Sequence, residues 1–229
     1  MRLSRRIAAE ALGTCFLLAA VVGSGIMAER LAGGNVAIAL LANTIATGAM
    51  LVALILTFSA HMNPAVTLVE ALDGKVPWGE VTGYIAAQAL GALAGVAAAH
   101  VMFEETVIQA SQHARSGPAL LFSEFVATFG LVMVIRGVGS SRATAVPYAV
   151  GAYIMGAYWF TASTSFANPA VTLARSFSDT FAGIRPQDAP GFVLAQLAGA
   201  AAAMIVARWM GWLNRTHDKH ATSLDSLHG

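Results

Sequence analysis

Charge is scarce in this chain: 13 Lys and Arg and 12 Asp and Glu make up 11% of its 229 residues. A soluble domain carries about 25%, so a surface wetted on all sides is excluded. There is a single cysteine, Cys15, so no internal disulfide can form. It sits in an apolar run, where a small buried residue is its natural role. The formal net charge is only +1, which leaves no footprint for nucleic acid. No His, Cys and carboxylate spacing suggests a metal, and no nucleophile–base pair suggests an enzyme. Neither a cofactor nor a catalytic role is expected.

What the chain has instead is apolar length: 57% hydrophobic residues and a mean hydropathy of +0.66. A spanning helix needs about 20 apolar residues, so there is room for six spans and two shorter elements. The apolar runs place the spans near 7–28, 35–58, 79–102, 118–138, 145–161 and 190–213. The polar connection 103–117 joins the halves, and a polar tail follows from Asn214. Basic residues ahead of the first run resemble a signal peptide. Glu10 inside that run, and the run's internal repeat partner, argue for a retained helix.

The sequence Asn63-Pro64-Ala65-Val66-Thr67-Leu68 recurs letter for letter as Asn168-Pro169-Ala170-Val171-Thr172-Leu173. Proline suits the first position of a helix, where its missing N–H would have no partner, and the asparagine before it can cap. Each copy therefore predicts a short helix starting at membrane depth, the first ending near Asp73 and the second near Gly183. Other matches run in the same order: Glu10 and Thr14 with Glu124 and Thr128, and Gln88 and Gly91 with Gln196 and Gly199. Three spans per half is an odd number, so the second half must insert upside down. The expected fold is an all-α membrane protein, with six transmembrane helices and two re-entrant half-helices in an inverted repeat. It forms one domain over residues 1–229, with repeats at about 7–102 and 118–213 and the tail at 214–229.

Arg2, Arg5, Arg6, Lys75, Arg142, Arg215 and Lys219 fall on the side holding both termini, which the positive-inside rule assigns to the cytoplasm of a cell's inner membrane. Irregular backbone at membrane depth must line a watery cavity or be packed in protein. The segments before the hexamers thus line a pore, with Asn63 and Asn168 meeting at its centre as donors and the positive helix ends repelling cations. Glu10 and Glu124 are costly inside a span and need partners. They either brace the re-entrant loops by accepting backbone N–H groups or relay protons. The second reading would make the protein a proton-coupled secondary transporter instead of a passive channel. His61 either borders the pore or is a buried histidine bonded to backbone. The small residues Gly83, Ala87, Gly91 and Gly95, with Ala195, Gly199 and Ala203, predict close helix packing.

The paired Asn-Pro-Ala motifs, the Glu10/Thr14 and Glu124/Thr128 pairs and the stretch Ser59-Ala60-His61-Met62-Asn63 resemble the aquaporin, or major intrinsic protein, superfamily over about residues 7–213. The resemblance implies a lipid-embedded homotetramer with one pore per subunit, conducting water and small neutral solutes. It also implies a four-residue selectivity filter outside the asparagine pair. Most members follow the second Asn-Pro-Ala with arginine; here that position is Val171. By family pattern the other filter positions fall at Asn43, Ser165 and either Gly156 or Tyr158. Losing the guanidinium removes five donors and a charge, which favours bulkier neutral solutes. Arg175 lies one turn beyond Val171 on the same face. It is either a charge at the outer mouth or a surface or packing residue. Arginine-less filters of this kind resemble the aquaglyceroporin-like branch associated with arsenic resistance, for which arsenous acid and methylated arsenicals are the suggested cargo.

Overall fold

The computed structural model describes residues 2–212. The predicted tail, with Arg215 and Lys219, lies outside those residues. Among the described residues eight α-helices follow in order: α1 (Leu3–Leu31), α2 (Val36–Phe58), α3 (Pro64–Leu72), α4 (Trp78–Phe103), α5 (Pro118–Ser141), α6 (Val146–Phe160), α7 (Pro169–Arg175) and α8 (Ala189–Trp209). Five of them are long and apolar enough to cross a membrane. The sixth expected span, α6, is shorter at 15 residues. Pro147 in its first turn and a single 3-10 turn at Ala143–Ala145 fix where it begins. Helix α2 starts where the sequence predicts, because the Asn35 side chain accepts the N–H groups of Ala37 and Ile38.

The halves repeat in their packing. Helix α1 lies along α4, and α5 lies along α8. Gly91 lets α4 sit against the backbone of α1 at Ala11, and Gly199 lets α8 sit against α5 at Phe125; a methyl group at either would collide with a carbonyl. Both glycines belong to the small-residue series visible in the sequence. A second crossing, α2 on α6, meets at Gly48 and Gly151.

The two short helices are exchanged between the halves. The face of α7 carrying Ala170, Val171 and Ala174 packs into a cluster with Leu17, Leu18 and Val21 of α1 and Val96 of α4. Conversely, Ala65 and Val69 of α3 pack with Val132 of α5 and Ala200 and Met204 of α8. Burying these faces away from lipid fastens each half to the other and fixes where the half-helices meet.

Helix α3 ends at Leu72, close to expectation, but α7 stops at Arg175 and not near Gly183. The reason lies in where the next backbone groups bond. Ser176 and Phe177 donate to carbonyls three residues back, tightening the last turn. The carbonyls of Ser176 and Phe177 then accept from Ser111 and Gln109 of the 104–117 connection. Segment 176–188 is thus held as loop by the connection that folds over it.

Candidate functional site

A cavity of about 540 Å³ runs between the halves. Gly139, Ala143, Thr144 and Lys75 line it toward the face where α1 begins, called here the near face. It passes both asparagines and reaches Ser165, Phe166 and Arg175 on the far side. Its walls are chiefly apolar, including Leu51, Val66, Leu131, Val150 and Ile154, with few polar groups interrupting them.

Those polar groups are positioned by a duplicated bonding pattern. Asn63 caps α3 by accepting the Ala65 N–H at 2.9 Å, and its Nδ2 donates to the Ala167 carbonyl at 2.8 Å. Asn168 caps α7 by accepting from Ala170 and Val171, and its Nδ2 donates to the Met62 carbonyl at 2.7 Å. Each carboxamide has two N–H donors; one is spent on the opposite loop, which leaves one for a solute in the cavity. Met62 and Ala167, the residues just before the asparagines, have φ of 54° and 48°. A non-glycine residue held there carries about 1–3 kcal/mol of strain. That conformation serves the site, since these are the two carbonyls that accept the crossed asparagine bonds.

The strain is held by the carboxylates. Glu10 accepts the N–H groups of His61 and Met62, each at 2.7 Å, and Gln88 Nε2 at 2.8 Å. Glu124 accepts the N–H groups of Phe166 and Ala167, each at 2.9 Å, and Gln196 Nε2 at 2.6 Å. Gln88 and Gln196 in turn donate to Thr67 and Thr172, each at 2.8 Å. Neither carboxylate lines the cavity. Every oxygen of Glu10 and Glu124 accepts from an N–H group, the arrangement expected of braces, and the cavity-lining His61 places its Nδ1 3.9 Å from Glu10 Oε1.

Of the filter positions implied by family pattern, Val171, Ser165 and Tyr158 line the cavity. Asn43 and Gly156 do not. The Asn43 amide is turned toward α1, where it donates to the Val21 carbonyl at 2.8 Å and to Ser24 Oγ at 2.9 Å. Gly156 lies on the exposed face of α6 with nothing near its Cβ direction. Helix α2 contributes Thr47 instead, one turn further along, whose Oγ1 accepts from the Tyr158 hydroxyl at 3.4 Å. Sequence reasoning missed Thr47, although its place four residues after Asn43 puts it on the same face.

His61 lines the cavity on the near side, with Nδ1 3.1 Å from Thr67 Oγ1. Its counterpart, Phe166, lines it on the far side and packs edge-on against Phe192 at 5.3 Å between centroids. Arg175 is buried at 3% exposure and lines the cavity, so it is not a surface residue. Its Cζ lies 3.4 Å from the Phe166 ring centroid, and its Nε donates to the Ala182 carbonyl. Arg115 of the long connection also stacks on Phe166, at 5.1 Å, and donates to the Gly183 carbonyl at 2.7 Å. Burial pulls the Arg115 guanidinium below its ordinary range; an arginine starts so far above neutrality that it remains a cation. Arg136, buried at 2% exposure in α5, also escaped the sequence reading. It bonds Asp73 at 2.7 Å and the Val69 carbonyl at 3.0 Å beside Glu70.

Comparison with known proteins places this geometry. A family model described as major intrinsic protein matches residues 1–144. The chain is 55% identical over 212 residues to the aquaglyceroporin AqpS of Rhizobium meliloti (strain 1021), covering 91% of each chain. It is 32% identical over 208 residues to aquaporin NIP1-4 of Oryza sativa subsp. japonica, covering 85% of this chain and 72% of that one. The X-ray structure of the aquaglyceroporin from Plasmodium falciparum superposes with a TM-score of 0.64 at 20% identity, over 91% of this chain and 95% of that one, and so shares the fold. With its crossed asparagines, braced re-entrant loops and half-helices exchanged about a cavity, the chain belongs to the major intrinsic protein family of membrane channels.

Proposed function

We propose that the protein is a passive channel for water and small neutral solutes of the glycerol class, with a filter widened by Val171. The observation that carries this reading is the cavity itself: a mostly apolar passage with two asparagine donors and a few hydroxyls along it, and with Glu70 and Lys75 toward its near end and Arg175 toward its far end. Water and polyols can exchange their hydrogen bonds onto such a series, whereas an ion cannot recover its hydration there. The relative named an aquaglyceroporin, at 55% identity, supports the wider solute range. Uncharged arsenous acid and methylated arsenicals are candidate cargo on the same grounds of size and neutrality.

The filter in this reading consists of Val171, Ser165, Tyr158 and Thr47. The chain, 1–229, acts as one channel domain in the inner membrane, with both termini cytoplasmic, and four copies assemble with a pore in each. Large apolar side chains exposed on the long helices, among them Phe16, Ile45, Leu90, Phe122, Leu194 and Ile205, supply the surface that lipid or neighbouring subunits would cover.

The test is light-scattering flux in proteoliposomes, with water, glycerol, urea and arsenite in turn. The wild type should pass water and glycerol linearly with gradient, without saturation and without dependence on a pH gradient. Val171→Arg should reduce glycerol and arsenite flux roughly tenfold, about 1.4 kcal/mol in barrier, and water flux less. Solute flux unchanged by that substitution would remove residue 171 from the filter.

A further inference from the structure

We propose that Arg175 is the pore's selectivity cation: it restores, one helical turn beyond Val171, the positive charge that residue 171 does not supply, and it excludes cations while admitting oxygen-bearing neutral solutes. The inference rests on the channel reading above and adds which residue sets its charge selectivity.

Three observations carry it. First, Arg175 is buried yet lines the cavity. Second, among the described residues no carboxylate lies within ion-pairing distance of it. Its Nε is bonded to the Ala182 carbonyl and its face to Phe166, but its Nη groups make no hydrogen bond to the described residues, which leaves their N–H donors for whatever occupies the cavity. Third, Ser165 Oγ, buried at 2% exposure in the same wall, also has no partner. Buried polar groups are ordinarily bonded. Guanidinium Nη groups and a hydroxyl without partners among the described residues, beside one cavity, mark a place where a solute oxygen or water supplies the missing bonds.

The other charges on the cavity wall do not compete. At the near end Glu70 and Lys75 line the cavity, but Lys75 lies 3.3 Å and Arg136 3.4 Å from Glu70, and Asp73 takes a second contact from each base. That end is a neutralised network. At the far end Arg115 adds a second positive charge on the same ring. The field along the pore is therefore positive at Arg175. Low-dielectric walls focus such a field, and a buried charge is little screened by salt. Moving the guanidinium outward by a turn leaves the bore at Val171 wide, so charge exclusion and bore size are set by different residues.

The experiment compares wild type, Arg175→Gln and Arg175→Lys in proteoliposomes for water flux, glycerol flux and proton and potassium leak, the last two by trapped dyes and applied diffusion potentials. Arg175→Gln should raise the ratio of cation leak to its own water flux by at least roughly tenfold, while Arg175→Lys should keep the wild-type ratio. A leak-to-water ratio unchanged in Arg175→Gln would overturn the assignment. Should the glutamine variant fail to insert, the wild type alone decides. Its residual ionic leak should favour chloride and nitrate over potassium in reversal potentials, and a cation-selective residual leak would overturn the proposal. Wild-type vesicles impermeable to both water and glycerol would instead overturn the channel reading.

Discussion

Helices α3 and α7 begin alike and end differently, and the difference separates what the repeat must preserve from what each end of the pore is free to change. From the asparagine cap through Thr67 and Thr172 the two are superposable in chemistry: the same crossed carboxamide, the same carboxylate bracing two loop N–H groups, the same glutamine joining brace to helix. Six residues after the asparagine the letters part, at Val69 and Ala174, and at the seventh the charge does. The first copy reaches Glu70 and the second Arg175, and both line the cavity. Glu70 near a helix C-terminus is badly placed against the dipole, and Lys75 and Arg136 offset it. Arg175 is well placed against the dipole, stacks on Phe166 and donates to the Ala182 carbonyl, and among the described residues it has no carboxylate within ion-pairing distance. The midplane is common to both halves because each loop holds the other. The ends answer to different surroundings.

The largest effect should come from breaking the shared part. Glu10→Ala and Glu124→Ala each orphan three buried N–H donors, at on the order of 1–3 kcal/mol apiece. Both variants should lose folded yield and show steep drops in thermal unfolding temperature in detergent, by similar amounts. If only one of them is damaged, the braces are not equivalent and the symmetry is a matter of appearance.

Next comes the divergent part. Arg136→Met leaves Glu70 and Asp73 buried with Lys75 as their remaining cation, and removing one partner from a buried ion pair costs about 3–5 kcal/mol. Arg175→Met leaves no carboxylate behind, so its unfolding temperature should fall less. Thermal melts of the two variants in parallel would expose a neutralised near end and a free far cation; equal losses would erase that contrast.

How much of this could be read before the structure follows from where each polar residue finds its partner. Glu10, Glu124, Gln88, Gln196 and the asparagines are polar letters in apolar runs, and their repetition identified them as a set. The long helices were legible to within a few residues because apolar length sets them. Arg136 was not, since its partner Asp73 lies 63 positions earlier and nothing local marks the pairing. Asn43 was misplaced because family spacing counts residues along α2 but cannot show that Ser24 and the Val21 carbonyl draw its amide away from the cavity. The end of α7 was set too late because the groups that stop it come from the 104–117 connection.

Smaller again are the helix contacts. Gly91→Ala and Gly199→Ala each push a methyl group against a facing carbonyl, an overpacking that costs about 1–3 kcal/mol. Matched losses in unfolding temperature would show that α1 on α4 and α5 on α8 are equally tight; a tolerated alanine in one half would show that its helices can move apart.

The finest test of the comparison is at the caps. Asn63 accepts one helix N–H, from Ala65, whereas Asn168 accepts two, from Ala170 and Val171. Both also donate one bond across to the opposite loop, so Asn63→Ala and Asn168→Ala lose that bond equally and differ only in capping. A cap is worth about 1 kcal/mol, and the second acceptor contact should make Asn168→Ala the costlier by a fraction of that. The difference has a physical origin in helix length: α7 has seven residues against nine in α3, so a larger share of its N–H groups have no partner within the helix and depend on the cap. Denaturation midpoints of the two variants in one mixed-micelle titration would resolve the order. The reverse order would mean that the longer half-helix, not the shorter, relies more on its asparagine, and that the far loop is held by the 104–117 connection and not by the cap.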